Sequence, residues 1–143
     1  MKTQKIIKLV NEAIKEIFRQ IPAGFEENIY EEALCYELEK RNIKFHRQKR
    51  LPFVYKNNYL CSYVPDLLIS TEDGDYVLEL KHKESLRNRD TIQLKKYLFA
   101  MDESHGSLVN FQNKKIEDYE LIRKDNQQEK KEHPADSLIL EGT

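Results

Sequence analysis

Between Thr3 and Ile21 apolar residues fall at Ile6, Val10, Ala13, Ile14, Ile17 and Ile21, the three-and-four spacing that lines one face of a helix. Pro22-Ala23-Gly24 interrupts the period. Ile29, Tyr30, Ala33, Leu34 and Leu38 restart it, which predicts a second helix from about Glu26 to Arg41, with Asn42 placed to end it. Beyond Asn42 the period changes to two. Ile43 and Phe45, then Leu51, Phe53 and Tyr55, alternate with polar neighbours and lead into a Lys56-Asn57-Asn58 turn, the pattern of a hairpin. Tyr59 to Ser70 continues extended, Thr71-Glu72-Asp73-Gly74 is a tight turn, and Tyr76 to His82 is a further strand rich in β-formers. Helical spacing returns from Asn88 to Met101 through Ile92, Leu94, Tyr97, Leu98 and Met101. Gly106 to Phe111 is short and apolar, as a buried strand is, and Tyr119 to Ile122 is a candidate edge strand. The order predicts an α/β or α+β fold: two helices, a run of strands, a third helix and the closing strands.

After Arg123 the chain turns polar through Lys124 to Pro134, with no period able to bury a face. Residues 1–123 are therefore expected to form one domain and residues 124–143 a mobile tail, whose apolar Leu138-Ile139-Leu140 can dock on a partner. A chain of 143 residues buries enough surface to fold without disulfides or a structural metal. Its 24 Lys and Arg against 25 Asp and Glu leave a net charge of -1, so no bulk field points to a membrane or a polyanion, and any nucleic-acid contact must come from local patches. Cys35 and Cys61 have neither zinc-site spacing nor the density of a disulfide scaffold, which suits a reducing, cytoplasmic location. The first residues lack the continuous apolar core of a secretory signal, and no segment approaches the roughly 20 apolar residues of a membrane span. Four isolated glycines speak against dinucleotide and P-loop folds, which need clustered ones.

Charges interrupt two strands where the pattern calls for core. In Val64-Pro65-Asp66-Leu67-Leu68-Ile69 both faces look buried, yet Asp66 shares one of them with Val64 and Leu68. In Tyr76-Val77-Leu78-Glu79-Leu80-Lys81-His82, Glu79 and Lys81 share a face with Val77. A half-buried carboxylate costs several kcal/mol unless paired, hydrogen-bonded or bound to a cation. The turn at Thr71 to Asp75 makes the two strands hairpin partners and brings Asp66 close to Glu79 and Lys81. Two carboxylates and an ammonium suit a hard divalent ion with a lysine that orients water, a minimal phosphodiester-hydrolysis site. The same residues also fit an ordinary cross-strand ion pair on a solvated hairpin.

Pro65-Asp66, twelve intervening residues and Glu79-Leu80-Lys81 resemble the PD-(D/E)XK motif of the nuclease superfamily that includes restriction endonucleases and RecB-like exonucleases. Upstream, Gly24-Phe25-Glu26-Glu27-Asn28-Ile29-Tyr30 resembles the signature of the GxxExxY protein family within it, and Gln93-Leu94-Lys95-Lys96-Tyr97 resembles the Gln-x-x-x-Tyr helix of the RecB-like branch. The resemblance covers roughly residues 5 to 123. It implies a restriction-endonuclease-like core, a central mixed β-sheet flanked by helices with the site at one edge. It also implies an Mg²⁺- or Mn²⁺-dependent nuclease acting on nucleic acid, DNA ahead of RNA.

By motif position Asp66 and Glu79 would hold the metal with the Leu80 carbonyl, Glu27 would join them, and Lys81 would position the water. Gln93 and Tyr97, one helical turn apart, would steady the site or the substrate backbone. Each has a plainer explanation: Glu27 suits a helix N-terminus, while Tyr30 and Tyr97 lie on apolar stripes. His82 departs from the small or apolar residue expected after the lysine and is read as a strand-end residue, though it could touch phosphate. Lys44, Arg47, Lys49 and Arg50, and then Lys83, Arg87, Arg89, Lys95 and Lys96, form basic clusters able to track phosphates. Two alternatives stand beside the nuclease. One is a catalytically silent nucleic-acid-binding or partner-dependent regulatory module of the same fold. The other is a structural domain whose Glu79 and Lys81 form only an ion pair. A homodimer or a protein partner is compatible with either.

Overall fold

The computed structural model of the chain describes residues 2–101, 105–121 and 140–141. Two helices open it, α1 (Thr3–Gln20) and α2 (Glu27–Lys40). α1 buries Ile6, Val10, Ala13, Ile14 and Ile17, the stripe its spacing predicts. α2 buries Tyr30, Leu34, Cys35 and Leu38, whereas Ile29 is exposed. The buried stripe steps by four from Tyr30, and a neighbour one residue away is rotated by about 100° off that face. α2 ends where Asn42 takes a left-handed φ of 60°, which lets the Ile43 N–H reach the Leu38 carbonyl at 3.0 Å.

Among the described residues eight strands follow: β1 (Phe45–Arg47), β2 (Leu51–Tyr55), β3 (Asn58–Tyr63), β4 (Leu67–Thr71), β5 (Gly74–Lys81), β6 (His105–Asn110), β7 (Lys115–Leu121) and β8 (Leu140–Glu141). Six form one sheet in the order β1-β4-β5-β6-β7-β8. All its neighbours are antiparallel except β5 and β6, which run parallel and are joined through α3 (Asn88–Ala100). The expected mixed sheet flanked by helices is thus present. One core lies between the sheet and α1 and α2, with Leu67, Ile69, Tyr76, Leu78 and Leu80 facing it. The other lies under α3, where Leu68, Val77 and Leu108 meet Leu94 and Leu98. Ile92, predicted to join this core, is exposed.

β2 and β3 form a separate two-stranded sheet. Lys56 and Asn57 both take left-handed φ values, 46° and 66°, as a two-residue type I′ turn requires. The extended run expected from Tyr59 to Ser70 is broken between Tyr63 and Leu67, because β3 pairs with β2 while β4 pairs with β1 and β5. β7 begins four residues earlier than the predicted edge strand, since Ile116 and Tyr119 are spaced by charged residues that hide the alternation. Of the expected tail, residues 140 and 141 pair with Leu121 and Glu120 as β8. The remainder of 124–143 lies outside the described residues.

α3 settles onto the sheet at Gly106. A Cβ there would stand 2.9 Å from the Leu94 Cδ1 and 3.2 Å from the Val77 carbonyl oxygen. The leucine tip can give way, but the backbone oxygen cannot. Gly106→Val is expected to lower unfolding stability by about 1–3 kcal/mol, measured as the urea midpoint. An unchanged midpoint would show that the close approach of α3 has no structural weight.

Candidate active site

The β4–β5 register pairs Leu67 with Leu78, and one step further it sets Asp66 beside Glu79. The Asp66 N–H donates to Glu79 Oε1 at 3.0 Å, and the Leu80 N–H donates to Asp66 Oδ2 at 2.7 Å. Each carboxylate therefore takes a backbone donor from the other residue's strand. Each keeps a second oxygen for other work, and Asp66 Oδ1 accepts only a long 3.5 Å bond from Gln48 Nε2. Glu79 is 4% exposed. Burial, with the charge of Asp66 added, pushes its carboxyl up to about 8. Burial raises Asp66 as well, against the opposing pull of the Leu80 N–H. A pair of this kind is relieved by a proton or by a cation.

Lys81 lies two residues on, on the α3 side of the sheet. Its Nζ donates to Gln93 Oε1 at 3.3 Å, and Gln93 Nε2 donates to the Tyr97 hydroxyl at 3.1 Å. Gln93 and Tyr97, four residues apart on α3, thus make one chain of hydrogen bonds that ends on the lysine. The tyrosine hydroxyl is pushed up to about 12 by burial and by the charge of Glu79, which keeps it a neutral donor and acceptor.

Asp90 is a member of this group that sequence reasoning missed. It is buried, accepts the Arg87 N–H at 2.8 Å in a capping box, pairs with Lys83 at 3.0 Å and stands 3.9 Å from Lys81 Nζ. Burial raises its carboxyl, but the Arg87 N–H and Lys83 together hold it below the usual range. An aspartate in a first helical turn is so ordinary as a cap that only its place three residues before Gln93 could have singled it out.

The loop before α2 is tied to the same site. Tyr30 donates its hydroxyl to the Pro22 carbonyl at 2.7 Å and accepts the Phe25 N–H at 3.1 Å. Its ring is stacked between Phe111 at 4.6 Å and His82 at 5.5 Å. His82 Nε2 in turn accepts the Gly24 N–H at 3.1 Å, and Gly24 adopts φ 113°, which favours glycine. His82 is therefore a structural clasp. The arrangement fixes the entry to α2, where Glu27 is the first helical residue. Burial and the charge of Asp66 raise the Glu27 carboxyl, while Lys81 and His82 lower it, so it shares the field of the site.

Residues 4–123 match the family model of the PD-(D/E)XK nuclease superfamily. The chain belongs to that superfamily. Among solved structures it is similar to that of Hjc, a Holliday junction resolvase from the hyperthermophilic archaeon Archaeoglobus fulgidus. The likeness has 17% sequence identity and a TM-score of 0.38, and covers 66% of this chain and 80% of that one. No curated protein matches the chain.

In this PD-(D/E)XK chain the donor set suits a hard cation in part. A buried and a half-buried carboxylate, Glu79 and Asp66, are present with free oxygens, and both are held uncomfortably as anions. A strand residue's N–H and C=O point to one edge; the Leu80 N–H faces Asp66, so its carbonyl faces that edge too, whereas the Lys81 carbonyl faces β6 and accepts the Phe111 N–H at 3.0 Å. Among the described residues no three His, Cys, Asp or Glu side chains converge into a ligand group.

The raised Glu79 has a consequence for stability. Its folded value lies above the ordinary 4.5, so the folded state holds the proton more tightly, and this group destabilises the fold progressively as pH rises from about 4.5 towards about 8. Without metal, Glu79→Gln is expected to gain stability over the wild type across that window and to show a smaller loss itself, that left by Asp66. Parallel thermal unfolding curves of the two proteins would refute the buried carboxylate.

Proposed function

We propose that the chain is a metal-dependent nuclease, a phosphodiesterase acting on nucleic acid, with DNA ahead of RNA. The observation that carries this reading is the Asp66–Glu79 clasp at the strand end with Lys81 held next to it by Gln93. Asp66 and Glu79, with the Leu80 carbonyl, would hold Mg²⁺ or Mn²⁺, and Glu27 would add its charge from the start of α2. When bound, that ion supplies charge stabilisation for the phosphoryl oxygens and makes water a better nucleophile.

The chain's own residues do the rest. Lys81 Nζ presents its donors to the attacking water and the phosphate, and the bond to Gln93 Oε1 fixes where it points. Asp90 and Lys83 anchor the start of α3, so that Gln93 stays in register with the strand. The Gly24–Glu27–Tyr30 loop and the Gln93–Tyr97 helix give the GxxExxY and RecB-like signatures a shared job here, that of bringing two helices to one strand end. The free thiols of Cys35 and Cys61 suit a reducing cytoplasm.

One observation favours a second reading, a silent binding or regulatory module with the same fold: the described residues offer two converging carboxylates and no third. The two readings separate on cleavage of single- and double-stranded DNA and RNA in Mn²⁺, Mg²⁺ or EDTA. The nuclease reading expects metal-dependent cutting that Asp66→Ala abolishes and Lys81→Ala lowers by about 100-fold. A folded wild type that binds nucleic acid and cuts nothing belongs to the silent module. Equal cutting by wild type and Lys81→Ala would remove the lysine from the reaction.

A further inference from the structure

A groove of about 580 Å³ runs beside Lys81, between α3 and the base of the β2–β3 hairpin. Arg89, Ile92, Gln93 and Lys96 form its α3 side, at the three-and-four spacing that puts them on one face. Arg89 and Lys96 are exposed and make no ion pair among the described residues, whereas Lys83 is committed to Asp90. Between the two free cations sits Ile92, 48% exposed and filling no core. Tyr63 lines the groove from the hairpin, its ring edge-on to Tyr97 at 5.3 Å.

We infer that this groove binds a single-stranded segment of nucleic acid, with phosphates on Arg89 and Lys96 and a base against Ile92 and Tyr63, leading to Lys81. The substrate class rests on the nuclease reading; the geometry of the groove does not. Seven residues of helix separate the two cations by about 10 Å, a reach of about two or three nucleotides. The alternation of cation, apolar side chain and cation beside an aromatic wall suits a strand whose base faces are open. A duplex hides those faces in its stack and offers the outside phosphates and groove edges, to which a flat apolar and aromatic wall is less suited than to an open base face.

The opposite flank of α3 provides a contrast. There Arg87 and Lys95 line a second groove with the Glu117 carboxylate among them and without Lys81, whereas the carboxylate that lines the first groove, Asp90, is buried and paired with Lys83. A carboxylate with no ion pair among the described residues opposes phosphate more than one neutralised by a lysine, so the basic cluster around α3 divides into a strand-binding half and a half that is not.

The test is binding of labelled single strands of about ten nucleotides, DNA and RNA, and of duplexes of equal length, in EDTA over a range of salt. The single strands are expected to bind more tightly than the duplexes, and the two sugars compared show which the groove prefers. Arg89→Ala and Lys96→Ala are each expected to reduce the slope of log affinity against log salt by about 0.7, with Lys95→Ala leaving it unchanged. Ile92→Ser is expected to weaken single-strand binding without changing the slope. All four positions lie on the helix surface, and circular dichroism checks that each variant folds. Equal affinity for duplex, no binding of any oligonucleotide, or an equal slope loss from Lys95→Ala overturns the inference. Because nothing is cut in EDTA, the expected slopes in a protein that never cleaves would sink the nuclease reading alone. Cleavage that persists with slopes indifferent to Arg89 and Lys96 would sink the groove alone.

Discussion

A buried and a half-buried carboxylate stand side by side where β4 begins, and the groups around them answer the resulting repulsion. The backbone meets it first: the Asp66 N–H serves Glu79 and the Leu80 N–H serves Asp66, so backbone donors beside the hairpin ladder hold the two acids in a defined geometry. Two neutral donors offset only part of the cost of two like charges in a poorly hydrated place. The strand end is left with a standing affinity for positive charge, and the fold brings Lys81 there while leaving carboxylate oxygens open.

The helices hold this strand end from both faces of the sheet. α3 comes down on Gly106, where a side chain would not fit, and that contact sets the height at which Gln93 meets Lys81 and Asp90 meets Lys83. On the other face the stack of His82, Tyr30 and Phe111 joins the end of β5 to the loop before α2. Since His82 also accepts the Gly24 N–H, the residue that follows the lysine in sequence ties the loop before α2 to the end of β5.

The parts of this arrangement that were legible in the sequence are those with a strong local signature. The α1 stripe showed in its spacing, and Asp66 and Glu79 stood out because an apolar strand has no other use for an acid. The motif residues Gln93 and Tyr97 could be named, although their joint hold on Lys81 depends on how far α3 stands from the sheet. Ile29 and Ile92 misled because a period of 3.6 tolerates a neighbour one position off the stripe until packing decides. The break at Val64–Asp66 was hidden because a change of strand partner leaves both halves extended. Asp90 was hidden by its ordinary place in a first helical turn, and β8 because two residues carry no period.

The short strands at the rims of the main sheet bear on how copies of the chain behave towards one another. Among the described residues, one rim is β1, three residues long, and the other is β7 overlaid by the two residues of β8. Long bare rims invite a foreign strand to add on, whereas a short or covered rim offers too few hydrogen bonds to hold one. The exposed Val54, Tyr55, Tyr59 and Leu60 lie instead on the separate hairpin. The exposed apolar side chains thus stand apart from the main hydrogen-bonded ladder, on a hairpin whose two strands are both edges, so that a foreign strand finds its footing there and not on the sheet that carries the site.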